Sequence, residues 1–498
     1  MKKAILLTIL GCILINSCDE WLYLEPEEGV IREEYWQSED DVFAAVMGCY
    51  ASLLGNAISK SGYSIPELIF LWGEIRADLA APYRSKSEFR NIYYGDILAD
   101  NPVCRWNSFY QTINFCNTVL KFAPDVLDKD PSFTEDELKK YNSEVLALRA
   151  LMYFYLVRSF GEVPLKLTAT VSDEENFAIP KSSSSVILNQ IKTDLRNAEE
   201  NAPYTYGDND SDKGRITKFA VYAIQADVYL WCEQYDSCLI ACNKIIDSGK
   251  FGLVLSDKNW FSTLYATGNS SESIFELQFS KTRYNPLYEM HGLDRYFRAS
   301  PGIMEIIFPY DYNVVEDSAD VRANKGSYHS SYNYMIWKYV GKTSDEPKVP
   351  SESYSHLIIY KYSEILLTKA EALNQLDRMD EALTLVNQIR NRARASDLTD
   401  LATGQRLTRS SMADYILEER ARELAFEGKR WYDVLRNARR NNYERLQILV
   451  NMVVSSSPGE KQVTIKNKML DTLYHYWPIY KDELETNSAL VQNAFYKD

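Results

Sequence analysis

At 498 residues and 46% hydrophobic content, the chain can bury a core without disulfide staples and is too apolar to be a disordered polymer. A formal net charge of −15 argues against nucleic acid as a partner. The N-terminus carries Lys2 and Lys3, then an apolar stretch from Ala4 to Ile15. That stretch is too short for a permanent membrane span and has the shape of a secretory signal. No later apolar run is long enough to span a bilayer.

The apolar stretch ends in Leu14-Ile15-Asn16-Ser17-Cys18. A small residue directly before Cys resembles a bacterial lipobox, which implies removal of residues 1–17 and acylation of Cys18. Two or three acyl chains anchor stably, since each buried methylene adds about 0.8 kcal/mol. Loss of Lys2 and Lys3 takes the charge from −15 to −17. Asp19 and Glu20 follow at once and resemble a surface-export signal. Cys12 leaves with the signal. Cys49, Cys104, Cys116, Cys232, Cys238 and Cys242 remain, bridged or free. No CxxC pair points to zinc.

Helical period is expected over Asp40–Leu54, Ser108–Lys121 and Ser143–Phe160, the last ending at Gly161-Glu162-Val163-Pro164. Residues 226–245 align with 370–389 at an offset of 144 without gaps. Ala226-Asp227 falls on Ala370-Glu371, Cys238-Leu239 on Ala382-Leu383, and Ile245 on Ile389. In both copies a small residue recurs twelve positions later across a turn, which resembles the tetratricopeptide unit of two helices touching at small residues. Cys238 and Cys242, one helical turn apart, make poor disulfide partners and are expected as buried small residues. Between these segments, residues 59–105 and 250–355 are rich in Tyr, Trp, Gly and Pro and lack helical period; short strand-like runs appear at Ser273–Phe279 and Tyr334–Val340.

Residues 416–436 carry Leu417, Ala421, Leu424, Gly428, Trp431 and Leu435 at steps of four and three, which lays them on one helical face. The intervening residues alternate charge, so spacing alone gives a surface helix with a solvated charged side. The word Glu-Arg-x-Arg-Glu-Leu-x-Phe-Glu-Gly-x-Arg-Trp at 419–431 closely resembles the C-terminal signature of the SusD/RagB family. Further ordered blocks resemble the same family: Leu148-Arg149-Ala150 through Phe160-Gly161, Gly214-Arg215-Ile216-Thr217-Lys218, Tyr360-Lys361-Tyr362-Ser363-Glu364, and Pro478-Ile479 through Gln492-Asn493, the last matching the family's C-terminal strand and tail. The resemblance spans nearly the whole mature chain. It implies a mostly α protein, a tetratricopeptide-like scaffold of helical hairpins with long loop-rich, short-strand insertions. It also implies an outer-membrane, lipid-anchored, surface-exposed protein that binds a nutrient oligosaccharide. That protein would deliver its ligand to a SusC-like TonB-dependent β-barrel transporter, with no catalytic step and no cofactor. The expected organisation is a signal at 1–17, a lipidated tether at 18–35 and one domain over 36–498. The scaffold of that domain includes 217–249, 356–394 and 410–440. A peptide- or protein-gripping scaffold is the alternative, and a glycosidase a third reading.

Catalytic motifs are lacking: the four histidines share no pattern, and there is no GxSxG, HExxH or phosphate loop. Asp208, Asp210 and Asp212 alternate as in a calcium loop, but Gly214 falls one position late and Phe219 stands where the bidentate Glu belongs, so a polar loop is expected and no metal. The remaining candidates are aromatic: 36 Tyr and 9 Trp stand against 19 Phe. Tyr and Trp offer an apolar face with a polar edge, which suits sugar rings. The segment from Leu71 to Arg84 resembles the family's Gly-x-x-Arg-x-Asp region, which nominates Trp72, Arg76, Asp78 and Tyr83 as ligand-binding residues. The second insertion adds Tyr284, Tyr288, Tyr296 and Trp337. Trp106, Trp231 and Trp431 lie in helical patterns and are expected in the core; Trp260 and Trp477 are left open.

Overall fold

The computed structural model describes residues 35–55, 62–171, 178–314, 319–402 and 407–497. Cys18 and the N-terminal tether lie outside the described residues. The chain is a mostly α scaffold of packed helices with a few two-stranded ribbons.

The first helices are α1 (Glu39–Leu53), α2 (Ile65–Glu74), α3 (Asn107–Phe122) and α4 (Glu135–Phe160). The expected helices over 40–54 and 108–121 hold within a residue or so, as α1 and α3. The third expected helix, observed as α4, starts eight residues earlier than expected, because Thr134 and Glu137 form a capping box ahead of its polar first turns. Helix α2 sits where no helix was expected. Its start is marked by Ser64 and Glu67 in a capping box, with Pro66 in the first turn. Every residue of α2 except Glu67 is buried, so it is apolar on all sides and has no amphipathic period to detect.

Helix α5 (Ser184–Asn201) packs along α4, where Arg149 makes a bidentate pair with Asp194 at 2.8 Å and donates to Asn117 of α3. Two hairpins follow: α6 (Lys218–Trp231) with α7 (Tyr235–Ile246), and α8 (Tyr362–Gln375) with α9 (Met379–Ala393). The 144-residue offset survives in three dimensions. Ala226 and Ala370, Cys238 and Ala382, and Ile245 and Ile389 are all buried. The two turns place equivalent residues, Glu233 and Asp377, in the left-handed region. Asp227 and Glu371 are equivalent too, and both are buried carboxylates held by arginines: Asp227 by Arg158, and Glu371 by Arg436 and Arg440. The six described cysteines are free.

The signature segment is not one continuous helix. It forms α10 (Arg409–Glu423), a tight turn with Phe426 and Gly428 at positive φ, and α11 (Arg430–Tyr443). Nor is its charged side solvated. Glu419 receives Arg322, Arg390 and Arg422; Glu423 receives Arg322 and Arg392; Glu427 receives Lys338 and Lys361; all these groups are buried. Burial works against the Glu419 charge, but the three arginines outweigh it and hold the carboxyl down at about 2. Apart from Arg422, the partners come from residues 322–392, so the signature is a hub to which the second insertion and the hairpin of α8 and α9 are tied.

The strands are β1 (Ala80–Pro82), β2 (Ser273–Leu277), β3 (Phe297–Ala299) and β4 (Leu357–Lys361), with two-residue pairs elsewhere. β1 pairs with β3 and β2 with β4, both antiparallel. The run at Tyr334–Val340 yields only a two-residue strand, Met335–Ile336. The segment around Ile479 is not a strand; Gln492 holds its N–H and C=O instead. Trp106, Trp231 and Trp431 are in the core, and so are Trp260 and Trp477. Asp208, Asp210 and Asp212 do not converge: Asp208 caps a short helix at Asn209–Gly214, Asp210 accepts from Asn269, and Asp212 accepts from Thr205 and Tyr206.

Candidate functional site

The ribbon of β1 and β3 runs on past its paired residues. Ala81 lies opposite Arg298 and Pro82 opposite Phe297; the Tyr83 N–H then donates to the Tyr296 carbonyl at 2.8 Å, and the Arg84 N–H to that of Arg295 at 3.4 Å. Alternation along the strands sends Phe297 inward against Phe70 and Phe89 and leaves Tyr296 and Arg298 facing out. Tyr83 and Tyr296, from insertions more than two hundred residues apart, thus become neighbours on one surface.

A turn at Tyr332–Tyr334 completes this surface. Arg295 is buried and donates to the carbonyls of Tyr332 (2.7 Å) and Asn333 (3.2 Å), which fixes the turn beside the ribbon. Asn333 and Tyr334 adopt left-handed backbone, a conformation that asparagine tolerates better than most residues. The Asn333 amide bridges Tyr83 and Arg298: its NH2 donates to the Tyr83 hydroxyl at 3.2 Å and its oxygen accepts from Arg298 at 3.0 Å. The Tyr334 hydroxyl donates to Glu305 at 3.3 Å. On the other flank the Lys86 ammonium lies 5.4 Å from the ring centre of Tyr63 and 4.8 Å from that of Tyr296. The result is an open platform of aromatic faces interleaved with amide, guanidinium and carboxylate groups. Tyr83 is 36% exposed and Tyr332 similarly so.

The other nominated residues fall elsewhere. Trp72 is wholly buried, stacked on Phe109 with its N–H given to the Val103 carbonyl, so it has no face to offer a ligand. Arg76 is buried over the rings of Trp431, Tyr474 and Trp477 and donates to the carbonyls of Tyr474 and His475. Asp78 is spent on a bidentate pair with Arg430 of the signature, at 2.8 and 2.9 Å. This trio joins the first insertion to the signature and is structural. Trp337 is also wholly buried, but it lies stacked beneath exposed Tyr332 and so supports the platform from below. Tyr288 turns away to the Lys348 carbonyl and a separate apolar cluster around Trp260. Tyr284 is half exposed. Tyr63, Lys86, Arg295, Arg298, Tyr332, Asn333 and Tyr334 were not nominated; the run beginning at Tyr334 was the nearest signal. Exposed Tyr310 and Tyr312, in edge-to-face contact at 4.8 Å, were also missed.

Trp72→Ala should cost about 3–5 kcal/mol of stability, the range for removing a large core aromatic, as measured by denaturant unfolding. A variant of unchanged stability would contradict this placement.

Glu74 ends α2 against the signature turn. One carboxylate oxygen accepts the N–H groups of Gly428 (2.9 Å) and Lys429 (3.2 Å), and the other has no partner among the described residues. Burial raises its pKa to about 8 against those two hydrogen bonds. The native protein therefore keeps this proton where the unfolded chain, near 4.5, has lost it. The associated stability is full below about 4.5 and is lost as pH rises through 8. Glu74→Gln mimics the protonated form, so its stability should gain on the wild type by a few kcal/mol between pH 5 and 8.5. Urea midpoints of both proteins at the two pH values measure this. A difference independent of pH would contradict it.

Fold and platform together define a class: a helical-hairpin scaffold presenting an exposed aromatic and polar surface. No described helix is long and apolar enough to cross a membrane. The family model described as "SusD family" matches residues 249–496, and the model described as "Starch-binding associating with outer membrane" matches residues 57–230. The chain belongs to the SusD/RagB family. It is 26% identical over 489 residues to SusD-like protein P38 of Formosa agariphila, covering 88% of this chain and 92% of that protein. A SusD-like protein of Bacteroides ovatus is 23% identical, covering 87% of this chain and 82% of that protein. Among solved structures, a SusD superfamily protein of Bacteroides vulgatus superposes with a TM-score of 0.74 at 21% identity, over 92% of this chain and 99% of that one. The NanU protein of B. fragilis superposes at 0.68 and 21%, over 95% and 100%. At these identities the structural likeness establishes the fold.

Proposed function

We propose that this protein is a surface-exposed, non-catalytic lipoprotein that binds a nutrient oligosaccharide on the Tyr83–Tyr296–Asn333 platform. It passes the ligand to a SusC-like TonB-dependent transporter and is anchored in the outer membrane through Cys18. The observation that carries this reading is the platform itself. Apolar ring faces alternate with amide, guanidinium and carboxylate groups, and this is how a protein meets a ligand that is apolar on its ring faces and hydroxylated at its edge. Family membership and the description of the matching model support the same reading. The repeat hairpins give no support to a peptide clamp, because their equivalent carboxylates, Asp227 and Glu371, are consumed by internal arginines.

Tyr83→Ala tests it. Affinity electrophoresis of the full chain through gels holding a panel of polysaccharides should show one or more that retard the wild type. The variant should bind these at least about ten-fold more weakly, about 1.4 kcal/mol, with no change in melting temperature. Retardation that survives Tyr83→Ala would remove the platform from this role. Binding to peptides and to no glycan would replace the ligand class.

A further inference from the structure

We propose that the platform is selective for an anionic sugar, one bearing a carboxylate or a sulfate ester. This rests on the carbohydrate reading above and names the class of ligand within it. The guanidinium carbons of Arg295, Arg298 and Arg84 lie 4.4, 5.7 and 5.9 Å from the ring centre of Tyr83. With Lys86 beside Tyr296, four cations gather on one patch, against the carboxylates of Glu88, Asp294 and Glu305, in a protein whose net charge is −15.

Elsewhere this protein answers its clustered arginines with carboxylates: Arg322 alone meets Asp320, Glu419 and Glu423. On the platform two of the three arginines, Arg295 and Arg298, have no carboxylate partner among the described residues. Arg295 is answered by two backbone carbonyls and Arg298 by the neutral Asn333 amide. The Nε of each is buried without a partner among the described residues. Arg84 pairs with Asp294, but both side chains are largely exposed, and an exposed pair of this kind holds weakly enough for a ligand anion to displace it. Burial lowers the pKa of Arg295, and the charges of Arg84 and Arg298 lower it further, so the three guanidinium groups repel one another. An anion placed at the edge of Tyr83 would relieve that repulsion while its sugar ring covers the exposed tyrosine face.

Two matched pairs of polysaccharides separate the sources of charge: polygalacturonate with its fully methyl-esterified form, and κ-carrageenan with its desulfated galactan. In affinity electrophoresis or calorimetry at about 50 mM salt, at least one charged member should bind the full chain about ten-fold or more tightly than its neutral partner. That margin should shrink toward unity near 0.5 M salt, as expected for exposed charges. Arg298→Gln should cut the ratio of charged to neutral affinity by about five-fold or more. Arg84→Gln, which alters only an exposed side chain, should lower it in the same direction. Equal affinities within both pairs, a margin insensitive to Arg298→Gln and Arg84→Gln, or binding of neither charged probe would each overturn the proposal. Tyr83→Ala keeps the two readings apart. If it weakens binding of the neutral members while charge makes no difference, only the anionic preference fails. If it weakens no bound glycan, the platform reading fails, and this proposal fails with it.

Discussion

Gly73→Ala is expected to abolish or nearly abolish folding at ordinary temperatures. Gly73, in the last turn of α2, lies where the signature turn crosses it. A Cβ built there would overlap the Gly428 carbonyl and come within 2.8 Å of Gly428 Cα. Both neighbours are backbone, so no side-chain rotation can make room. Gly428 cannot yield either: its φ is +72°, and a Cβ on it would stand 2.6 Å from the Ile69 carbonyl. Two glycines thus meet backbone to backbone, and the Glu74 carboxylate next door caps the same turn. The loss should exceed about 4 kcal/mol, a size reserved for a few mechanisms such as a forced steric overlap in the core. Gly48→Ala is the control. Gly48 sits inside α1 with open space around its Cα, so alanine there should stabilise by about 0.5–1 kcal/mol. Urea unfolding of both variants, with circular dichroism as the probe, measures the contrast. A Gly73→Ala protein as stable as wild type would show that the two segments do not meet this closely.

The second large effect is expected for Glu371→Gln. The Glu371 carboxylate of α8 receives Arg436 at 2.6 and 3.0 Å, Arg440 at 2.6 Å and the Asn437 amide at 3.3 Å, all buried. Removing its charge leaves the buried Arg440 guanidinium without a carboxylate and Arg436 with Asp433 alone, which costs about 3–5 kcal/mol. Burial opposes the Glu371 charge, but Arg436 and Arg440 outweigh it and hold the carboxyl well below the usual range. A depressed carboxyl contributes stability above its unfolded pKa and loses it as pH falls. The gap between wild type and Glu371→Gln should therefore be full at pH 7 and narrow under acid. Replacing Glu371, Arg436 and Arg440 together by apolar residues should cost less than the sum of the separate losses, because no charge is then stranded. Additive losses would contradict a coupled network.

The repeat was legible because small residues at helix contacts are a local constraint: Ala226 and Ala370, Cys238 and Ala382 recur at one offset and all are buried. The equivalence of Asp227 and Glu371 was visible in the same alignment, yet their burial was not, since Arg158 and Arg436 arrive from other helices. The signature charges were misjudged for a similar reason. Spacing records which residues share a face, not whether Arg322, Lys338, Lys361, Arg390 and Arg392 will converge on that face from far along the chain. Helix α2 was invisible because uniform burial removes the amphipathic period. The site was legible in part. Aromatic richness flagged both insertions but could not sort exposed Tyr83 and half-exposed Tyr296 from buried Trp72 and Trp337. That sorting is done by the pairing of β1 with β3, a long-range contact. Arg295, Arg298 and Asn333 gain their meaning only from that pairing.

The central claim is that the ligand is held by the ribbon and turn, while the signature that identifies the family ties the scaffold together. Hydrogen–deuterium exchange of the full chain, with and without a saturating oligosaccharide cut from the tightest-binding polysaccharide, tests it most directly. The account predicts ligand-dependent protection in peptides covering 82–86, 294–298 and 331–335, with the peptides of 416–436 unchanged. Protection centred on 416–436 or on the repeat hairpins, with the ribbon unaffected, would contradict it.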